Sequence, residues 1–157
     1  MQQIGLLSSG WSLGFVAACI FVGRVSSAVG HVRGFAGLAA VSASAALLLL
    51  PLDNQVVWIV LRVVIGFCFG GLSIIIESWL NDRSDSSRRG GLLAVYMTVG
   101  LLASLAGTLS AALVDPMAGF AYTLMVLALV LSIVPITLTR APQPKPIRPF
   151  SIKLLAL

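Results

Sequence analysis

The stretch that decides the fold is residues 56–91, VVWIVLRVVIGFCFGGLSIIIESWLNDRSDSSRRGG. It begins as an apolar run long enough to cross the ~30 Å hydrocarbon core of a bilayer as an α-helix. The run then breaks into a charged loop at residues 81–89. Arg62 lies inside the apolar part, where a charged residue costs at least ~2.5 kcal/mol at mid-bilayer. We therefore expect Arg62 to serve a function rather than to be incidental.

The composition of the whole chain agrees with a membrane protein. Of 157 residues, 59% are hydrophobic and only 10% are charged, whereas soluble domains have about 25% charged residues. The mean hydropathy is +1.05. These values exclude an ordinary soluble domain, and we expect no nucleic-acid partner despite the net charge of +5.

Five apolar segments predict an all-α, polytopic membrane helix bundle with five transmembrane helices. Each segment has roughly the 18–25 residues that a spanning helix needs, and none shows the strict alternation of a barrel strand. The predicted spans are about residues 4–23, 35–52, 56–80, 92–114 and 120–139. They make up a bundle over residues 1–140. A Pro-rich cytoplasmic tail, the start of a central loop, is predicted over residues 141–157.

The basic residues predict the orientation of the bundle. Neither of the tight turns at residues 51–55 and 115–119 contains Lys or Arg. Nine of the ten basic residues lie on the opposite side, and Arg62 lies within the membrane. Because positive residues stay in the cytoplasm, we expect the N-terminus outside and the C-terminus inside the inner (plasma) membrane. Those nine are Arg24, Arg33, Arg83, Arg88, Arg89, Arg140, Lys145, Arg148 and Lys153.

Polar and small residues form one stripe along the third span, with Phe69 and other large apolar residues off it. Arg62, Gly66, Gly70, Ser73 and Glu77 are spaced 4, 4, 3 and 4 residues apart, so they share one helix face. The pair of glycines permits close approach of another helix. The stripe therefore faces protein or a water-filled cavity.

Two of these residues have alternative interpretations. Arg62 either lines a cavity and couples ions, or extends to the outer headgroups. Glu77 either pairs with loop arginines or carries protons. At ~22 Å apart along the helix axis, the two cannot pair with each other.

The other spans offer weaker candidates. Gly100 and Gly107 lie in a small-residue stripe of the fourth span, which Tyr96 extends; the stripe packs against a helix or lines a substrate path. Trp11 in the first span packs against a neighbour or touches substrate. His31, the only histidine, is interpreted as a solvated loop residue.

The sequence does not indicate an enzyme. One histidine and two cysteines within apolar spans form no metal-ligand cluster. Phosphate-binding loops and nucleophile–base pairs are also missing from the pattern. We therefore expect no cofactor and no catalytic residues.

Residues 23–33, GRVSSAVGHVR, resemble the loop between helices two and three of the major facilitator superfamily of secondary transporters. Arg62-x-x-x-Gly66-x-x-x-Gly70 resembles the family's fourth helix, in which the Arg lines the cavity and is associated with proton coupling. Residues 77–82 with 88–90 resemble a subgroup of bacterial inner-membrane facilitators. The matching loop positions are Gly23, Arg24, Gly30 and Arg33, and Ser27 stands where an acidic residue is usual.

The resemblance implies that the five spans are helices two to six of the family's twelve. It implies a fragment of a secondary-active transporter of a small organic solute, proton-coupled, that works by alternating access when complete. Its expected partners are the solute, protons, the lipid bilayer and the missing helices of the same transporter. The alternative is a non-transporting small membrane subunit or scaffold.

Overall fold

The structure, a computed structural model, describes residues 2–85, 87–113 and 120–138. Nearly all of the described residues lie in α-helices, which confirms the all-α helix bundle. Four of these helices are long and apolar enough to cross a membrane, and the apolar part described in the fifth is shorter. The predicted tail lies outside the described residues. The helices are α1 (Gln2–Val29), α2 (His31–Leu48), α3 (Gln55–Arg83), α4 (Arg89–Leu113) and α5 (Phe120–Leu138).

Several helices continue beyond the predicted apolar spans. α1 includes Gly23 and Arg24, and α2 includes Arg33, so the stretch predicted as a loop is helical except at Gly30. Apolar content limits the membrane-crossing part of a helix, but it does not end the backbone hydrogen-bond ladder. A helix therefore runs on through polar residues until a residue or cap stops it.

The reversal between α1 and α2 depends on Gly30. Its φ of 88° is the one positive φ among the described residues, and side chains other than glycine's rarely adopt that conformation. The Gly30 amide donates to the Ser26 carbonyl at 2.9 Å, and the Gly34 amide donates to the Gly30 carbonyl at 2.9 Å. These bonds satisfy the backbone on both sides of the turn, so α2 can begin at once.

The start of α3 is fixed by a side-chain cap. The Asn54 side-chain oxygen accepts hydrogen bonds from the amides of Val56 at 2.9 Å and Val57 at 3.3 Å. An asparagine in this position satisfies amides that have no partner within the helix. Trp58 donates its indole N–H to the Leu52 carbonyl, which ties the turn to the first turn of α3.

The core lies where α1, α2 and α3 meet. α3 packs most extensively against α1 and also against α2, and α5 packs against α2. By contrast, α4 touches α3 only slightly, and none of its membrane-crossing stretch is buried. α3 therefore makes most of its contacts with α1 and α2. The buried core residues are Ala18, Val22, Phe35, Ala39, Leu72 and Ile75.

Candidate functional site

Glycines bring the backbones of α1 and α3 into direct contact. A Cβ on Gly66 would overlap the Trp11 carbonyl oxygen and would lie 2.9 Å from its carbonyl carbon. A Cβ on Gly14 would overlap the Val63 carbonyl oxygen and would lie 2.7 Å from the Phe67 amide nitrogen. Without side chains at these positions the two helices can cross at backbone distance. The crossing is the tightest packing feature around α3.

The predicted packing glycines have different surroundings. Gly70 faces α1, where a Cβ would lie 3.0 Å from the Ala18 Cβ and 3.2 Å from the Phe15 ring. Gly100 and Gly107 on α4 have no atom of a described residue within 4 Å of the Cβ position. The structure therefore brings Gly66 and Gly70 of α3 against α1. No described residue covers the small-residue stripe of α4.

A polar and aromatic flank runs beside the glycine seam on α3. At 100° per residue, Phe69 and Ser73 each lie within about 20° of Arg62 around the helix axis. Arg62 and Ser73 are half-buried, and Phe69 is 52% exposed. α1 covers the neighbouring glycines, and its Trp11 ring reaches Phe69, so these three residues lie at the edge of the α1 contact and are only partly covered. We call Arg62, Phe69 and Ser73 the Arg62 flank.

Aromatic rings join the flank to α1. The ring centroids of Trp11 and Phe69 are 5.7 Å apart with an interplanar angle of 48°, and those of Trp11 and Phe15 are 5.5 Å apart. The Phe15 and Phe69 centroids are 6.5 Å apart. Such pairs typically stabilise packing by about 0.5–1.5 kcal/mol beyond the area they bury. Trp11 thus packs beside the flank and helps to hold α1 against α3.

The sequence pattern does not single out Phe69, because its large apolar ring differs from the small and polar residues of the stripe. Its spacing of seven residues from Arg62 was the available signal, since two helical turns return to nearly the same face. The Ser73 hydroxyl donates to the Phe69 carbonyl at 3.1 Å, so its hydrogen-bonding need is met within α3. A serine satisfied in this way is compatible with a position in the membrane.

The remaining candidates lie away from Arg62. Glu77 is half-buried on α3, and its 15-residue separation from Arg62 corresponds to ~22 Å of helix. Tyr96 is half-buried on α4, about 10 Å along the axis from Arg89. The Arg89 guanidinium donates to the Asn81 carbonyl at 3.3 Å, which places this end of α4 beside the end of α3. The structure therefore does not gather the predicted candidates into one site.

His31 corrects the sequence interpretation. Its side chain is 2% exposed, so the prediction of a solvated loop residue is wrong. The reason is that α2 begins directly after Gly30, which turns His31 into the space between helices. No three potential metal-ligating side chains converge in the described ranges, so His31 is not part of a metal cluster there.

Comparison with known proteins assigns the bundle to a family. A family model described as Major Facilitator Superfamily matches residues 1–154. No curated protein and no solved structure gives a significant match. The family match covers nearly all of the chain, and the apolar helices agree with its membrane-embedded architecture. The chain is a multi-pass membrane protein that belongs to the Major Facilitator Superfamily of transporters.

Proposed function

We propose that the chain forms part of a secondary-active transporter that moves a small organic solute coupled to protons. Transport would follow alternating access, in which two halves rock around a central site. The observation that carries this proposal is the Arg62 flank, in which a half-buried cation within an apolar span lies beside a half-exposed aromatic ring at the edge of the α1 contact. Family membership supplies the transporter class, and the flank supplies a candidate contact for solute or ion.

The position of Arg62 supports a role in the transport path. A guanidinium in an apolar span needs water, an anion or a polar partner, because burying it alone is costly. The apolar faces of α3 are used for packing against α1 and α2. A water-filled path along the Arg62 flank would hydrate the cation and expose it to an anionic group of the solute. Trp11, Glu77 and Tyr96 are further candidates for contact along such a path.

The exposed surface of α4 supports further helices in the working assembly. Its membrane-crossing stretch is unburied, yet Gly100 and Gly107 give it the small-residue stripe that favours close helix packing. We propose that other helices of the same transporter cover this stripe in the inner membrane, with the N-terminus outside. The same stripe also suits the second candidate function, a non-transporting subunit or scaffold whose helices bind partner helices.

Solute-dependent proton movement tests the proposal. Membrane vesicles from cells that express the gene are loaded with a pH-sensitive dye, and a pH gradient is imposed. Sugars, amino acids, carboxylates and organic cations are then added one class at a time. We expect at least one class to accelerate collapse of the gradient relative to vesicles that lack the chain. If no class of solute accelerates collapse of the gradient and other membrane proteins copurify with the chain, the scaffold function would be favoured.

A further inference from the structure

Three buried polar atoms lie at the ends of α1, α2 and α3 near the Gly30 turn. They are Ser26 Oγ, His31 Nε2 and Trp79 Nε1, and none has a hydrogen-bond partner among the described residues. The Ser26 and His31 side chains are 1% and 2% exposed. Buried polar atoms are nearly always hydrogen-bonded in proteins. Three unpartnered atoms at the same end of the bundle therefore indicate a site for something polar.

Helix register places these residues in one layer. Val22, Phe35 and Ile75 belong to the same core cluster, contributed by α1, α2 and α3. Ser26 lies four residues after Val22, His31 four residues before Phe35, and Trp79 four residues after Ile75.

Because four residues make about one turn of an α-helix, each of the three lies one turn beyond a core residue on a similar face. α2 runs antiparallel to α1 and α3, so all three turns lead toward the same end. We call Ser26, His31 and Trp79 the polar layer.

Ser26 differs from other helical serines in this chain. The hydroxyls of Ser12, Ser44 and Ser73 each donate to a carbonyl four residues earlier in their own helix. Such back-bonding is the usual way for a helical serine to satisfy its hydroxyl. The Ser26 hydroxyl does not use it and remains available to a group inside the layer.

The three atoms have complementary hydrogen-bonding chemistry. The Trp79 indole N–H only donates, and the Ser26 hydroxyl donates and accepts. The His31 Nε2 accepts in the neutral tautomer that carries its proton on Nδ1, and it donates once the ring is protonated. One water molecule could accept from Trp79 and donate to neutral His31, with Ser26 as a third partner. Buried waters typically make about three such bonds. After protonation of His31, the same water could reorient to accept from its N–H.

We propose that the polar layer is a proton-binding site in which His31 takes up the proton and a bound water links it to Ser26 and Trp79. The site is distinct from the Arg62 flank, and the proposal does not depend on transport. The proton adds to the Nε2 lone pair, and the imidazolium then donates that N–H to the water or to Ser26 Oγ. Histidine suits this role because its ordinary pKa of about 6.5 lies within the physiological range.

Burial and nearby charges act on the imidazolium in opposite directions. Among the described side chains, the ionisable residues on the packed ends are Arg24 on α1, Arg33 on α2, and Glu77 and Asp82 on α3. Burial of the His31 ring disfavours its charged form, and the nearby Asp82 carboxylate opposes that penalty in part. The bound water and the Ser26 hydroxyl would supply the further stabilisation that a buried imidazolium needs.

Two spectroscopic probes test the proposal on the same residue layer. His31 is the only histidine, so ¹³C-labelled histidine gives one NMR signal whose shift reports its protonation directly. In a Trp11→Phe/Trp58→Phe background, the fluorescence of Trp79 reports the neighbouring ring. We expect both signals to change along one titration curve whose midpoint lies below the ordinary histidine pKa of about 6.5, because burial disfavours the charged ring. The protein is measured in lipid nanodiscs.

Substitutions distinguish a site in which His31 is hydrogen-bonded to its two neighbours from a histidine that titrates alone. His31→Gln should abolish the fluorescence transition, and Ser26→Ala should move the NMR midpoint by at least about 0.5 pH unit. Ser12→Ala, whose hydroxyl bonds its own helix, should leave the midpoint unchanged. An NMR signal that does not titrate would overturn the proposal. So would a titrating histidine accompanied by pH-independent Trp79 fluorescence in the otherwise native layer.

Discussion

Gly66→Ala is expected to destabilise the protein, although alanine is the better helix former. The added methyl group would overlap the Trp11 carbonyl oxygen, and backbone atoms cannot move aside as a flexible side chain can. Overpacking typically costs about 1–3 kcal/mol and sometimes more. We expect a loss of more than about 2 kcal/mol, measured by denaturant unfolding of the protein in mixed micelles.

Gly37→Ala provides the matched control for this experiment. Gly37 lies within α2 and has no atom of a described residue within 4 Å of its Cβ position. Its replacement should therefore be neutral or should stabilise by up to about 1 kcal/mol, the ordinary preference for alanine in a helix. Gly14→Ala should behave like Gly66→Ala, because Gly14 meets the same crossing from α1. Equal stability of the Gly66 and Gly37 variants would contradict the close crossing.

Arg62→Ala is expected to lower solute-dependent proton flux at least tenfold, which corresponds to about 1.4 kcal/mol. The change removes the cation that we place on the transport path. Arg62→Lys should retain part of the flux, because lysine keeps the charge but lacks the two-pronged geometry of the guanidinium. Initial rates of dye response are compared at equal amounts of protein in the vesicles.

Arg33→Ala controls for the loss of a positive charge elsewhere. Arg33 is exposed near the start of α2, away from the Arg62 flank, and its replacement should leave the flux within about twofold. If Arg62→Ala transports as well as Arg33→Ala, the coupling role of Arg62 is wrong. The α3 stripe would then be explained better by helix packing than by transport.

The sequence indicates that one face of α3 packs closely against another helix, but it does not indicate which helix that is. The spacing of Gly66 and Gly70 predicted a helix face without large side chains, because a repeated spacing identifies such a face directly. It does not identify which helix fills the space, because that depends on contacts between distant parts of the chain. The contact with Gly14 on α1 therefore emerged only from the structure, and so did the position of Phe69 beside Arg62.

His31 shows a second limit of sequence reasoning. Charged residues on both sides of it indicated a loop, because hydropathy marks where a chain leaves the apolar part of a membrane. Hydropathy does not mark where a helix ends. That end depends on backbone conformation, and here the positive φ of Gly30 allows α2 to start one residue later. The buried polar layer follows from this turn and could not have been located by composition.

Water access to the Arg62 flank tests the central claim most directly. In a Cys19→Ala/Cys68→Ala background, Ser73→Cys places a single thiol on the flank, about 16 Å along the helix from Arg62. Leu131→Cys on α5, at an exposed apolar position, is the matched control. We expect a membrane-impermeant thiol reagent to label Ser73→Cys and to leave Leu131→Cys unreacted in native membranes. A Ser73→Cys thiol that stays unreacted from both sides of the membrane would mean that lipid or packed protein, not a water-filled path, covers the flank.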